Sequence, residues 1–143
     1  LRKLDHIMIF FLIAGTYTPY CLTVLRGPWG WSLFGVIWSV ALAGLVLKLV
    51  WMTAPRWLYT SVYVAMGWLV VIAIVPLVRA LPGGFTWLLA GGLFYTVGAV
   101  LYATKWPNPL PRVFGFHEIW HLFVLAGSAA HFWGVYSFLP FVR

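Results

Sequence analysis

Acidic residues are nearly missing from this chain: Asp5 and Glu118 stand alone among 143 residues, against nine Lys and Arg and four His. Charged residues of both signs make up 8%, far below the roughly 25% of an ordinary soluble domain. A water-facing globular surface is therefore excluded. The single cysteine, Cys21, excludes an internal disulfide, and nothing around it marks a reactive thiol, so it reads as packing. The chain begins at Leu1 without a methionine, which suggests a piece of something longer. The stretch 5–25 is too long, and too polar at Thr16 and Thr18, to be a cleaved signal, so it reads as a membrane span. There is no soluble-domain stretch and no fixed-period repeat.

In place of charge there is apolar mass: 64% hydrophobic residues and a mean hydropathy of +0.97. Such a chain dissolves in lipid, where every backbone polar group must be satisfied internally by a helix or a closed barrel. The apolar stretches run about 20 residues, the length of a spanning helix and about twice that of a spanning strand. The expected fold is an all-α integral membrane protein, an antiparallel transmembrane helix bundle forming one domain over 1–143. Its five spans fall at 5–25, 30–51, 57–76, 85–103 and 117–138. Breaks containing Pro, Gly or basic residues at 26–28, 53–56, 79–83 and 105–109 are short enough to make neighbouring helices antiparallel. Gly15, Gly67, Gly91, Gly92 and Gly98 are candidate points of close helix approach.

A net charge of +7 in a soluble protein would raise nucleic acid as a partner. Here the basic residues fall singly or in pairs between apolar stretches, which points to lipid headgroups and excludes that partner. With the N-terminus cytoplasmic, Arg2, Lys3, Lys48, Arg56, Lys105 and Arg112 lie inside and Arg26, Arg79 and Arg143 outside. That excess favours this orientation, with the C-terminus outside. Trp29, Trp31, Trp51, Trp57, Trp87 and Trp106 flank span ends and read as interface anchors. The sequence fixes no oligomeric state.

The residues that carry chemistry are few. His117-Glu118-Ile119-Trp120-His121 places two imidazoles four positions apart, on one helical face, where both reach a single Zn²⁺. Five antiparallel spans put the starts of the first and fifth at the same membrane face, bringing Asp5 and His6 to the level of His117, Glu118 and His121. Ionisable groups at membrane depth are costly and mark function. Asp5 also suits a helix N-cap, and Glu118 in a first turn suits the helix dipole. Glu118 and His6 are therefore secondary candidates. His131, about 15 Å further along its helix than His121, is expected to hydrogen-bond between helices. Thr16, Thr18 and Pro19 read as a structural kink whose hydroxyls take up carbonyls.

Leu4-Asp5-His6 followed by Ile13-Ala14-Gly15-Thr16-Tyr17-Thr18-Pro19 resembles the third transmembrane helix of the haemolysin III family, bacterial relatives of the adiponectin and progestin receptors. Tyr63-Val64-Ala65-Met66-Gly67-Trp68, Gly91-Gly92-Leu93-Phe94-Tyr95-Thr96-Val97-Gly98 and Phe114-Gly115-Phe116-His117-Glu118-Ile119-Trp120-His121 are similar to its later helices, in order. The resemblance implies spans three to seven of a seven-span fold, with His117 and His121 as zinc ligands and Asp5 as the acid that holds the activated water. The family's remaining histidine ligand comes from its second span, which has no counterpart here. The implied activity is zinc-dependent hydrolysis of a lipid amide or ester within the bacterial cytoplasmic membrane, tied to membrane homeostasis. Two rival readings remain: an intramembrane metalloprotease with Glu118 as general base, and a non-enzymatic pore former or sensor. Spans two and three lack the polar stripe that a pore needs.

Overall fold

The computed structural model describes the backbone of residues 2–51, 53–110 and 113–138, and the side chains of 7–51, 53–55, 57–110 and 113–138. Within these the chain is helical apart from its connections: α1 (Arg2–Pro19) continuing as a π-helical turn (Tyr20–Leu25), α2 (Gly27–Val50), α3 (Arg56–Trp68), a 3-10 segment (Leu69–Ala73), α4 (Ile74–Ala80), α5 (Pro82–Thr104) and α6 (Phe116–Phe138). Four stretches are long and apolar enough to cross a bilayer, at Ile7–Leu25, Gly27–Val50, Trp57–Ala80 and Pro82–Thr104. The fifth, α6, has 23 residues, ample length at 1.5 Å per residue, but its three histidines and Glu118 lower its hydropathy. The protein is an all-α membrane bundle.

Local chemistry sets the helix ends. Pro28 and Pro82 sit in the first turns of α2 and α5, where a missing N–H costs nothing. Arg26, at φ 40°, turns the chain out of the π-helical segment, and its Nε donates to the Thr23 carbonyl at 2.7 Å. Lys105 adopts the left-handed conformation that ends α5.

In lipid the force between helices is packing rather than water exclusion, and α5 against α6 shows how the contact is built. Gly84, Gly91 and Gly98 recur every seven residues on α5, and Gly127 and Gly134 do so on α6, as an antiparallel seam. A Cβ at Gly127 would fall 2.6 Å from the Tyr95 ring and 3.1 Å from the Gly91 carbonyl oxygen; one at Gly98 would fall 2.8 Å from Phe123. Of the glycines expected to bring helices together, Gly91 and Gly98 do so. Gly15, Gly67 and Gly92 do not, since a Cβ on any of them meets nothing within 4 Å. Gly67 and Gly92 instead border a cavity.

The bundle has two cores. Ile9, Phe10, Ile13 and Ala14 of α1 pack with Ile37, Ala41, Met66, Tyr102 and Trp120. Tyr20 and Cys21 pack with Leu33, Ala73, Leu77 and Leu88, bordered by Val135 and Phe138. The first half of α1 thus meets the start of α6, and the π-helical turn that continues α1 meets the end of α6. These two helices run the same way, as the odd number of spans requires.

Polar groups hold the irregular stretches. Thr16 Oγ1 donates to the Ile13 carbonyl at 2.7 Å and Thr18 Oγ1 to that of Ala14 at 3.0 Å, as expected around Pro19. The third span departs from a continuous helix and runs on past Pro76 to Ala80. Proline at 76 leaves the ladder one donor short, and the α-to-3-10 change lies just before it. Tyr17 clamps that change: its hydroxyl accepts from Val70 N at 2.9 Å and reaches the Met66 and Gly67 carbonyls at 2.9 and 2.8 Å. Tyr17→Phe takes the partner from a half-buried Val70 N–H, and is expected to cost about 0.5–1.5 kcal/mol. Thermal unfolding in detergent checks it; an unchanged midpoint would assign that group to another partner.

Candidate metal site

α6 starts abruptly at Phe116, and its start is shaped by a cap. Glu118, third residue of the helix, accepts a hydrogen bond from the N–H of Gly115, the residue before it, at 2.8 Å. This is the returning half of a capping box, in which the third residue's carboxylate satisfies the N-cap amide. The exposed carboxylate is thereby held toward the loop. Its task in the structure is to fix where the helix begins, and so where the following histidine side chains project.

His117 and His121, one turn apart, converge. Their Nε2 atoms lie 3.2 Å apart, with ring centroids at 4.7 Å and planes nearly perpendicular. Two nitrogens bound to a tetrahedral ion at 2.0–2.1 Å stand roughly 3.3 Å apart, so the pair already has the spacing of two ligands on one zinc ion. Among the described residues no third His, Cys, Asp or Glu joins them. Asp5 and His6 belong to α1, but their side chains lie outside the described residues. What the structure does establish is that their helix begins at the same end of the bundle as α6.

Aromatic rings wall the pair on its inner side. Trp120 is 4% exposed and Tyr102 6%, with ring centroids 4.6 Å apart. Tyr102 lies 5.8 Å and Trp120 5.4 Å from the His117 ring, and Trp120 lies 4.7 Å from that of His121. Such packing locks the imidazole rotamers and keeps bulk water from one side. Tyr102 was not among the sequence candidates. The available signal was positional: the last turn of α5 must face the first turn of an antiparallel α6.

Behind Tyr102 and Trp120 lies a cavity of about 110 Å³ bordered by α1, α3 and α5, with Ile13, Tyr63, Leu89 and Tyr95 along its walls. A smaller one of about 40 Å³ adjoins it through the shared residues Ile13, Gly67, Val70 and Gly92 and reaches His131. His131 departs from its expected role. Its side chain stacks on Tyr95 at 5.4 Å and packs on Gly91, while its Nδ1 is buried with no hydrogen-bond partner. The inter-helix bond at this residue uses the backbone: Tyr20 OH donates to the His131 carbonyl at 3.4 Å. A side chain sunk against a glycine backbone finds no donor or acceptor on α5.

The bundle and its paired histidines define a multi-pass membrane protein with a candidate metal centre near one end. Residues 1–132 match the family described as "Haemolysin-III related". The chain belongs to the haemolysin III family, within the wider superfamily of the adiponectin and progestin receptors. It is 48% identical over 133 residues to Hemolysin-3 of Bacillus cereus, covering 92% of this chain and 58% of that protein. It is 45% identical over 136 residues to the Hemolysin-3 homolog of Bacillus subtilis (strain 168), covering 94% and 61%. Human monocyte to macrophage differentiation factor is 26% identical over 94% of this chain and 54% of its own length. The chain therefore spans about three fifths of the bacterial relatives it matches. No solved structure matches it.

Proposed function

We propose that the chain carries the zinc-binding end of a hydrolase that cleaves an amide or ester of a membrane lipid inside the bilayer. The site lies toward the cytoplasmic face of a bacterial inner membrane, and turnover adjusts lipid composition and fluidity. The observation that carries this reading is the 3.2 Å separation of the His117 and His121 Nε2 atoms. Zinc at such a site would supply a Lewis acid for the scissile carbonyl and a water with a pKa brought toward about 7. His117 and His121 would hold the ion. Asp5, at the same end of the bundle, takes the proton from the attacking water as general base. The family pattern implies one further histidine ligand from a span preceding those matched here, completing the three protein ligands usual for catalytic zinc.

Tyr102 and Trp120 fix the imidazoles, and the cavity beyond them takes the lipid's acyl chain. The apolar walls of that cavity favour a hydrocarbon tail over an ion path, which needs polar groups along its length. Glu118, committed to capping α6, is spared from the chemistry, and this sets the reading apart from an intramembrane protease.

Zinc-loaded protein in lipid nanodiscs, assayed for release of fatty acid from a ceramide, provides the test. Asp5→Asn is expected to lower the rate by about 10²- to 10⁴-fold, the span of a lost general base. Glu118→Gln is expected to retain most of the rate and lower only the unfolding temperature. Loss of turnover in Glu118→Gln with retention in Asp5→Asn would overturn the assignment in favour of Glu118 as base.

A further inference from the structure

The smaller cavity is wrongly furnished for a purely hydrocarbon occupant. His131 is 9% exposed, borders the cavity and keeps a buried Nδ1 without a partner. An unpaired buried nitrogen of this kind costs as much as a lost hydrogen bond, and such groups in folded proteins are normally satisfied.

Water is the usual remedy, and a volume of about 40 Å³ has room for it, since one water needs roughly 10–15 Å³ by this measure. A buried water also needs two to four polar partners, and the hydroxyl protons here are already spent within the protein. Tyr17 OH is bonded to Val70 N and two carbonyls. Thr16 donates to Ile13 O, Tyr20 donates to His131 O, and Tyr95 is paired with Ser128 at 2.9 Å. Cys21 offers only a weak donor. A water there would find acceptors but no free donor, the same demand that a lipid hydroxyl makes, while the lipid hydroxyl also brings a chain to fill the adjoining larger cavity.

We propose that the pocket between α1, α5 and α6 binds a hydroxyl carried on an acyl chain, with His131 as its hydrogen-bonding residue. A hydroxyl both donates and accepts, so it satisfies Nδ1 in either imidazole tautomer. Its chain fills the adjoining larger cavity, which runs from Gly92 and Tyr95 toward Tyr102 and Trp120 beside the paired histidines. His131 lies ten positions past His121 on one helix, about 15 Å away, so the hydroxyl belongs near the far end of the chain. This deepens the hydrolase reading by naming its substrate class as hydroxylated acyl lipids, and it rests on that reading only for turnover.

Binding to the metal-free full chain in detergent separates the two. The probes are laurate and ω-hydroxylaurate, whose extended length matches the span, competed against a fluorescent fatty acid. Wild type is expected to prefer the hydroxylated probe by about 3- to 10-fold, the net effect of one hydrogen bond. His131→Phe keeps a stacking ring and should bind both probes equally. Equal affinity in wild type would mean that water serves the nitrogen and would overturn the proposal, with no variant needed. A preference that survives His131→Phe would overturn it as well. A preference present in wild type and absent in His131→Phe, in a protein that never hydrolyses lipid, would sustain the pocket and reject the hydrolase.

Discussion

Gly91→Ala lowers the unfolding temperature of the protein in detergent by several degrees, while Gly92→Ala, at the next residue, leaves it unchanged or raises it. A Cβ at position 91 would lie 2.5, 2.6 and 2.9 Å from Nε2, Cδ2 and Cε1 of the His131 ring, whereas one at 92 meets nothing within 4 Å. The ring cannot swing aside freely, because it is stacked on Tyr95 at 5.4 Å. Relief therefore requires α5 and α6 to separate. Overpacking of this sort costs about 1–3 kcal/mol, and in lipid no hydrophobic term draws the helices back together. At 92 the balance reverses: removing a helix glycine restricts the unfolded chain and gains about 0.4–1 kcal/mol where the native geometry tolerates it. Gly127→Ala should behave like Gly91→Ala, since Tyr95 and a backbone carbonyl crowd the position. Equal midpoints for the 91 and 92 variants, by intrinsic fluorescence on heating, would deny the seam.

The second large effect concerns the paired imidazoles. His117→Ala and His121→Ala should each cut hydrolysis by at least about 100-fold, because even partners in a metal's outer shell cost 10- to 100-fold when lost. In the proposed site both act through one ion, so the double variant should be no worse than either single change; independent sites would add instead. The folded state should survive, because both side chains are only half-buried and the capping bond from Gly115 to Glu118 remains. Turnover by the ceramide assay, with circular dichroism as the control for folding, checks both points. Activity within a few-fold of wild type in either single variant would remove the histidines from the chemistry.

How much of this was legible in the residues differs from element to element. Helices announce themselves in a lipid-soluble chain, because composition leaves the backbone no other partner than itself, and proline and glycine mark the breaks. The meeting of the first and fifth spans at one end follows from counting crossings, and the shared core of Ile9, Phe10 and Trp120 records it. The His117 and His121 convergence follows from helical period alone. What spacing could not give was the choice among glycines: Gly91 and Gly92 are equivalent in composition, and only the rotation of α5 against α6 decides which one meets a neighbour. The seven-residue recurrence of Gly84, Gly91 and Gly98, and of Gly127 and Gly134, was the overlooked signal, as it keeps one face toward the partner helix. The 3-10 segment after Trp68 and its Tyr17 clamp depend on contacts across some fifty residues of sequence, which no local pattern records. Glu118, a secondary candidate inside an H-E-x-x-H string, also caps its helix, and that bond was not legible in the string because its partner, Gly115, lies outside it.

The proposed site requires His117 and His121 to grip one divalent cation together. Zinc bound per chain, measured by mass spectrometry on protein purified in zinc-containing buffer and then dialysed, tests it most directly. Wild type is expected to hold about one zinc and His121→Ala close to none; equal zinc in the two proteins would remove the metal site.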